Sequence, residues 1–306
     1  MDEIRENENA RTDSSGESGE KQRTAAGRGI LYLCATPIGN LEDMPVRAIR
    51  IMKEADIIAA EDTRNSIKLL NHFNIDTPMT SYHEFNKYDK AKVLVDKMLA
   101  GEVVALITDA GTPGISDPGE ELVKQCIEAG IEVAAIPGPA ACISALIISG
   151  MPTRRFVFEA FLPTDNTQLA KILDNLKEET RTIILYEAPH RLIKTLNRLK
   201  ETLGEDRRIA LCKELTKKHE NVFRTTIGEA LEYYSVNEPK GEYVLVIQGL
   251  DEEELKKRRV DSFSEMSLED HMAMYTSRGY DRKEAMKLVA KDRGVSKRDI
   301  YDALLK

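Results

Sequence analysis

A chain of 306 residues, 42% hydrophobic and 31% charged, has the composition of a globular protein with room for two domains and a small third piece. Its formal net charge of −8 excludes a polycation that coats nucleic acid, so any nucleic-acid contact has to come from a local patch and a shaped site. No apolar stretch approaches the roughly 18 residues of a membrane span, so no membrane contact is expected.

The four cysteines, Cys34, Cys126, Cys142 and Cys212, lie far apart in apolar runs with no C-x-x-C. They read as buried, reduced residues of a cytoplasmic protein, and no metal is expected. Residues 1–28 carry almost nothing apolar and are expected to be a disordered tail. The first apolar run begins at Ile30 behind that tail, so no secretory leader is expected.

Ile30-Leu31-Tyr32-Leu33-Cys34-Ala35 reads as a first strand, and Thr36-Pro37-Ile38-Gly39-Asn40-Leu41 as its loop. Asp43 and Pro45 open a helix with Val46, Ile49 and Met52 on one face. Asp56-Ile57-Ile58-Ala59-Ala60 is a strand ending in Glu61-Asp62-Thr63-Arg64, and the helix after it carries Ile67, Leu69, Leu70 and Phe73. A shorter strand falls near Met79-Thr80-Ser81. A helix over 87–100 follows, with Val93, Leu94, Val95, Met98 and Leu99 inward.

Val103-Val104-Ala105-Leu106-Ile107 reads as a buried parallel strand. The loop after it, Thr108-Asp109-Ala110-Gly111-Thr112-Pro113-Gly114-Ile115-Ser116-Asp117-Pro118-Gly119, is long for a strand-to-helix connection and combines stiff prolines with bare glycine backbone. It has the position and make-up of a ligand loop; the plainer reading is a connection capped by Asp117. A strand over 131–136 then ends in Pro137-Gly138-Pro139-Ala140-Ala141.

Gly150-Met151-Pro152 breaks the pattern, which restarts with strands near 156–158, 182–186, 208–212, 221–226 and 242–248 and helices over 167–177 and 190–203. The expected architecture is α/β, with two α/β domains over 29–150 and 151–250 and a cleft between them. The second sheet should be mixed. Residues 251–261 read as a charged linker. Residues 262–306 read as a small helical unit of helix-turn-helix type, with Asp281 and Ser296 as caps and Gly294 as the turn. Between residues 278 and 298 eight basic residues outnumber the acidic Asp281, Glu284 and Asp292, a local excess of five positive charges.

Familiar catalytic signatures are absent. There is no P-loop, no G-x-G-x-x-G after the first strand, no G-x-S-x-G and no H-E-x-x-H. Pro37 stands where a dinucleotide fold places glycine, so the ligand is expected to lack a pyrophosphate. Polar residues cluster at three strand ends: Glu61-Asp62-Thr63-Arg64, Tyr186-Glu187-Ala188-Pro189-His190-Arg191 and Lys213-Glu214-Leu215-Thr216-Lys217. Each can also be read as helix capping or a solvated charge run. His83 reads as structural or catalytic.

These segments, with the first loop, the 108–119 loop and Pro137-Gly138-Pro139-Ala140, occur in an order that closely resembles the bacterial 16S ribosomal RNA cytidine 2′-O-methyltransferases. Those enzymes belong to the tetrapyrrole methylase superfamily, the class III S-adenosylmethionine (AdoMet) methyltransferases. The resemblance covers residues 30–249 and extends to the helical tail. It implies AdoMet as cofactor, a homodimer, and the small ribosomal subunit with its 16S rRNA as partner, the target cytidine lying in the decoding centre.

Carried over by position, the resemblance assigns Pro37, Asp109, Ala110, Gly111, Thr112, Ile115, Ala140 and Ala141 to the cofactor pocket. Glu187 or Ala188, and Leu215 with Thr216, would complete it. Gly111 is expected to bring its backbone close to the cofactor. The first loop departs from the glycine-rich, acidic loop of tetrapyrrole-methylating relatives, which favours the RNA branch.

The candidate general bases are Glu61 and Asp62, with Glu214 behind them. Arg64, Lys297 and Arg298 are the candidate RNA contacts. Two alternatives stay open: methylation of a tetrapyrrole such as a cobalamin or sirohaem precursor, and a non-enzymatic RNA-binding or ribosome-assembly factor.

Overall fold

The computed structural model describes residues 27, 29–263 and 266–305. Apart from Gly27, the tail expected over 1–28 lies outside these residues. The chain divides into two compact units between Ala140 and Ala141.

The first unit alternates strands and helices: β1 (Ile30–Cys34), α1 (Val46–Glu54), β2 (Ile57–Ala60), α2 (Thr63–His72), β3 (Met79–Ser81), α3 (Lys87–Leu99), β4 (Val104–Ile107), α4 (Gly119–Glu128) and β5 (Glu132–Ile136). Its five strands pair in parallel in the order β3-β2-β4-β1-β5. Alternate residues of one strand face opposite sides of the sheet. Thus Ile30, Tyr32 and Cys34 join one buried cluster with Met52 and Leu70, while Leu31 joins the other with Leu94, Met98 and Leu122. Every residue of β4 is buried, as its unbroken apolar run requires.

The faces of α1 and α3 differ in detail from expectation. In α1 the inward residues are Ala48, Ile51 and Met52, and Val46 is exposed. Ile67 of α2 and Val93 and Leu99 of α3 also point to solvent. Ser66 and Ala91, small residues that let each helix approach the sheet closely, are buried in their place.

The second unit begins with α5 (Ala141–Ser149) and continues through β6 (Phe156–Phe161), α6 (Asn166–Leu176), β7 (Thr182–Glu187), α7 (Pro189–Leu203), β8 (Arg208–Lys213), β9 (Asn221–Thr226), α8 (Ile227–Val236) and β10 (Tyr243–Ile247). The sheet is mixed, in the order β6-β7-β10-β8-β9, with β6 and β7 parallel and the other pairs antiparallel.

Placing the domain break at Gly150 was too late. Helix α5 is tied to the second sheet: Tyr186 Oη accepts from the Cys142 N–H at 3.2 Å, and Arg224 donates to the Ile148 carbonyl. Gly150-Met151-Pro152 marks only the turn that ends this helix.

The linker expected over 251–261 is also corrected. It forms helix α9 (Glu252–Ser262), capped by Asp251, whose carboxylate accepts from the N–H groups of Glu253 and Glu254. Three glutamates in its first turn suit the positive end of the helix dipole.

Three further helices follow: α10 (Leu268–Thr276), α11 (Arg282–Asp292) and α12 (Lys297–Ala303). They close on a small core of Met272, Ala285, Val289, Ala290 and Ile300. Asp281 and Ser296 cap α11 and α12, and Gly294 makes the turn between them at φ 64°. Among the described residues no helix is long and apolar enough to cross a membrane.

Candidate functional site

In the first sheet the connection from β2 leads outward to β3, while that from β4 leads the opposite way to β5. The connections after these adjacent strands run in opposite directions, the point in open α/β sheets at which ligands bind. Glu61 and Asp109 occupy this point. Glu61 Oε2 accepts from the Thr108 hydroxyl at 2.6 Å and from the Asp109 N–H at 3.4 Å. The Asp109 carboxylate accepts from the Asp62 N–H at 3.2 Å and the Asn65 amide at 3.5 Å. Burial, and then the Glu61 charge, raise the Asp109 pKa above the usual carboxylate value.

Asp62 serves differently. It caps α2, accepting from the Arg64 N–H at 2.9 Å and from the Arg64 guanidinium at 3.1 and 2.8 Å. Those side-chain bonds hold its pKa down at about 2. The Arg64 side chain otherwise stands in solvent, 88% exposed.

The 108–119 loop is fastened to both neighbouring loops. Thr36 and Gly111 form a two-bond bridge, N–H to carbonyl at 2.9 Å and 3.1 Å. The Thr112 hydroxyl donates to the Pro139 carbonyl at 2.8 Å. Gly111 sits at φ 88°, and a Cβ there would lie 3.3 Å from the Ile38 side chain. The close backbone approach expected of Gly111 is therefore taken up by Thr36, because both of its backbone polar groups are already paired.

Asp117 is more than a helix cap. Its carboxylate accepts from the N–H groups of Gly114, Ile115 and Gly119, which folds the loop's second half around one side chain. Asp109, Ala110 and Ile115 remain exposed on the rim, while Pro37, Thr112 and Ala140 are half-buried. Ala141 opens α5 and belongs to the second unit.

In the second unit two of the three expected strand ends come together. Tyr243 of β10 pairs with Glu187 on one side and Lys213 on the other, so the ends of β7 and β8 flank one point. Glu187 is buried, and its carboxylate turns inward. It accepts from the Ala188 N–H at 2.9 Å and the Thr195 hydroxyl at 2.5 Å, and pairs with Arg191 at 3.4 Å. It is an internal anchor, and Ala188 is the half-exposed residue that starts α7.

The turn after β8 is strained. Glu214 and Thr216 have φ of 50° and 65°. Glu214 holds it in place: its N–H donates to the Glu242 carbonyl, and its carboxylate accepts from the Glu242 N–H and the Lys217 ammonium at 2.9 and 3.0 Å. The Glu242 backbone bond, and then Lys217, hold the Glu214 pKa below its usual value. Gly241 is required beside it, since a Cβ there would fall 2.5 Å from the Glu214 side chain. Leu215 is buried, and the Thr216 hydroxyl is buried without a partner.

Lys297 and Arg298 lie exposed on α12. Thr108, Asn65, Thr195 and the Gly241-Glu242 pair were not singled out from sequence; only the glycine immediately before an acidic strand start hinted at the last.

The sequence of a known family fits this arrangement. The model of the Tetrapyrrole (Corrin/Porphyrin) Methylases matches residues 30–231. The "Ribosomal RNA small subunit methyltransferase I" of Synechocystis is 49% identical over 90% of this chain and 98% of its own length, and that of Bacillus subtilis 45% identical over 90% and 94%. The crystal structure of uroporphyrin-III-C-methyltransferase from Thermus thermophilus shares the fold, with a TM-score of 0.52 at 21% identity over 72% of this chain and 94% of that one. The chain belongs to the tetrapyrrole methylase family and, within it, to the group of the ribosomal RNA small subunit methyltransferases I.

Proposed function

We propose that the protein methylates the ribose 2′-oxygen of a cytidine in 16S rRNA of the small ribosomal subunit, with S-adenosylmethionine as donor, as a cytoplasmic homodimer. The Glu61–Thr108–Asp109 cluster at these strand ends carries the chemical half of this reading: a carboxylate with raised proton affinity stands exposed at the usual ligand position of the sheet. The relatives' printed name supplies the substrate class. The tetrapyrrole alternative has the broad family and a fold shared at 21% identity in its favour, against relatives at 45–49% identity named for ribosomal RNA.

The residues suit the cofactor. The acidic rim of Asp109 and Glu61 is compatible with a sulfonium cation, and the unpartnered Thr216 hydroxyl can bond to a polar group. Pro37, Ala110, Thr112, Ile115 and Ala140 of the first unit are the residues proposed to hold it, and Ala141, Ala188, Leu215 and Thr216 stay candidates by resemblance alone. When bound, S-adenosylmethionine supplies an already activated methyl group.

The chain then has two tasks. Positioning the ribose oxygen in line with that methyl is worth most. Taking the hydroxyl proton adds about 10²–10⁴-fold. Asp109 takes this second role, with Glu61 beside it keeping its proton affinity high. Asp62 and Glu214 are disfavoured as bases because hydrogen bonds stabilise their charged forms. Arg64, its guanidinium oriented by Asp62, meets an RNA phosphate.

Single-turnover rates on unmethylated small subunits test the assignment. Asp109→Asn should lose about 10²-fold or more, and Glu214→Gln only a few-fold. Equal losses in the two variants would remove Asp109 from the role.

A further inference from the structure

The β3–α3 turn carries an aromatic residue that the fold does not use. Phe85 is 97% exposed, more than any other large hydrophobic among the described residues. The turn beneath it is well fixed. The His83 N–H donates to the Asn86 side chain at 2.8 Å, the Asn86 amide donates to the Ser81 carbonyl at 3.4 Å, and Lys87 pairs with Glu84 at 2.6 Å. The His83 ring packs against the Phe85 ring at 6.1 Å, edge to face.

The His83 ring supplies a second sign. Its Nε2 lies 3.4 Å from the Asn86 amide nitrogen, a donor, which favours the tautomer that carries the proton on Nδ1. That Nδ1 is buried without a partner. A buried donor without an acceptor is costly, and an acceptor arriving from outside the turn would relieve it.

The sheet register decides what stands beside this turn. Ser81 pairs with Ala60, and the Tyr82 N–H donates to the Ala60 carbonyl at 2.8 Å. The turn therefore leaves the sheet next to Glu61-Asp62-Thr63-Arg64, the end that carries the exposed Arg64 guanidinium. An open aromatic face and an unspent donor at one strand end, with a guanidinium at the neighbouring one, match the base, an acceptor group and the phosphate of a nucleotide.

We propose that the β3–α3 turn is a platform for an unpaired nucleobase of the RNA substrate. Phe85 stacks on the base, His83 supports the ring and donates to an acceptor when the ring shifts on binding, and Arg64 takes the adjoining phosphate. The inference rests on the rRNA methyltransferase reading and adds to it the residues that seat a base beside the reacting one.

The chain contains no tryptophan, so Phe85→Trp introduces the sole one. Its emission should be quenched on titration with an unmethylated 16S rRNA transcript. With small ribosomal subunits as substrate, Phe85→Ala should raise KM about tenfold, or about 1.4 kcal/mol, with kcat and the S-adenosylmethionine Kd unchanged, and Phe85→Tyr should restore KM. Silent tryptophan emission together with an unchanged KM in Phe85→Ala, while wild type still methylates, overturns the platform alone. Sedimentation showing that Phe85→Ala dissociates a dimer with KM unchanged overturns it in favour of a contact with a second copy. Failure of wild type to methylate the subunits overturns both readings.

Discussion

At the scale of single residues, the site turns on how four carboxylates are partnered. From sequence Glu61, Asp62 and Glu214 are the candidate bases and Asp109 a cofactor residue, and nothing local shows which of the four can accept a proton. The neighbours decide it. Asp62 faces a guanidinium and Glu214 faces the Glu242 N–H and an ammonium, and both are held charged. Asp109, on the exposed rim, is partly desolvated and stands beside a like charge, and its pKa is raised. These partners are set by tertiary packing across intervals as long as the one between Glu61 and Thr108, which no local pattern encodes. The sign of the pH dependence follows. A base must be ionised, so the methyl-transfer rate should rise with pH through the raised Asp109 pKa. Glu61→Gln removes the largest charge contribution to that shift, so its acid limb should move to lower pH in a pH–rate profile. A limb unmoved in Glu61→Gln would separate Asp109 from the reaction.

At the scale of elements, the strands of both sheets were legible because buried parallel and mixed strands are unbroken apolar runs punctuated by glycine and proline. The position of the 108–119 loop at a strand's carboxyl end was legible for the same reason. Its inner wiring was not: the Thr36–Gly111 bridge and the Asp117 clasp join residues that share no sequence signal. Helix α9 was missed because a dense charge run resembles a linker, yet its Asp cap and acidic first turn satisfy the helix end. Placing α5 in the first domain followed from reading a Gly-Met-Pro break as a boundary. The bridge reassigns Gly111 from ligand contact to fastener. Gly111→Ala puts an L-residue at φ 88° against Ile38. It should destabilise the protein by about 1–2 kcal/mol, read as a lowered thermal midpoint, and S-adenosylmethionine should restore part of the loss. An unchanged midpoint would mean that the bridge does not hold the loop.

At the scale of the whole molecule, an acidic chain is proposed to act on RNA. The net charge of −8 leaves the contacts to local features: Arg64 after β2, the Phe85 turn, and the basic helices at the end of the chain. If Lys297 and Arg298 meet phosphates, Lys297→Ala and Arg298→Ala should weaken rRNA binding regardless of sequence. Each should lower the salt slope of affinity by about one, with S-adenosylmethionine affinity unchanged. Salt slopes identical to wild type would remove α12 from the interface. Fold and family were legible from six ordered motifs, whereas the partnering of charges within each unit needed coordinates. The most direct test of the central claim is nucleoside mass spectrometry of 16S rRNA from unmethylated small subunits incubated with the protein and isotope-labelled S-adenosylmethionine. The account predicts one new labelled 2′-O-methylcytidine, lost in Asp109→Asn. Label on a nucleobase, or no label in the rRNA, would contradict it.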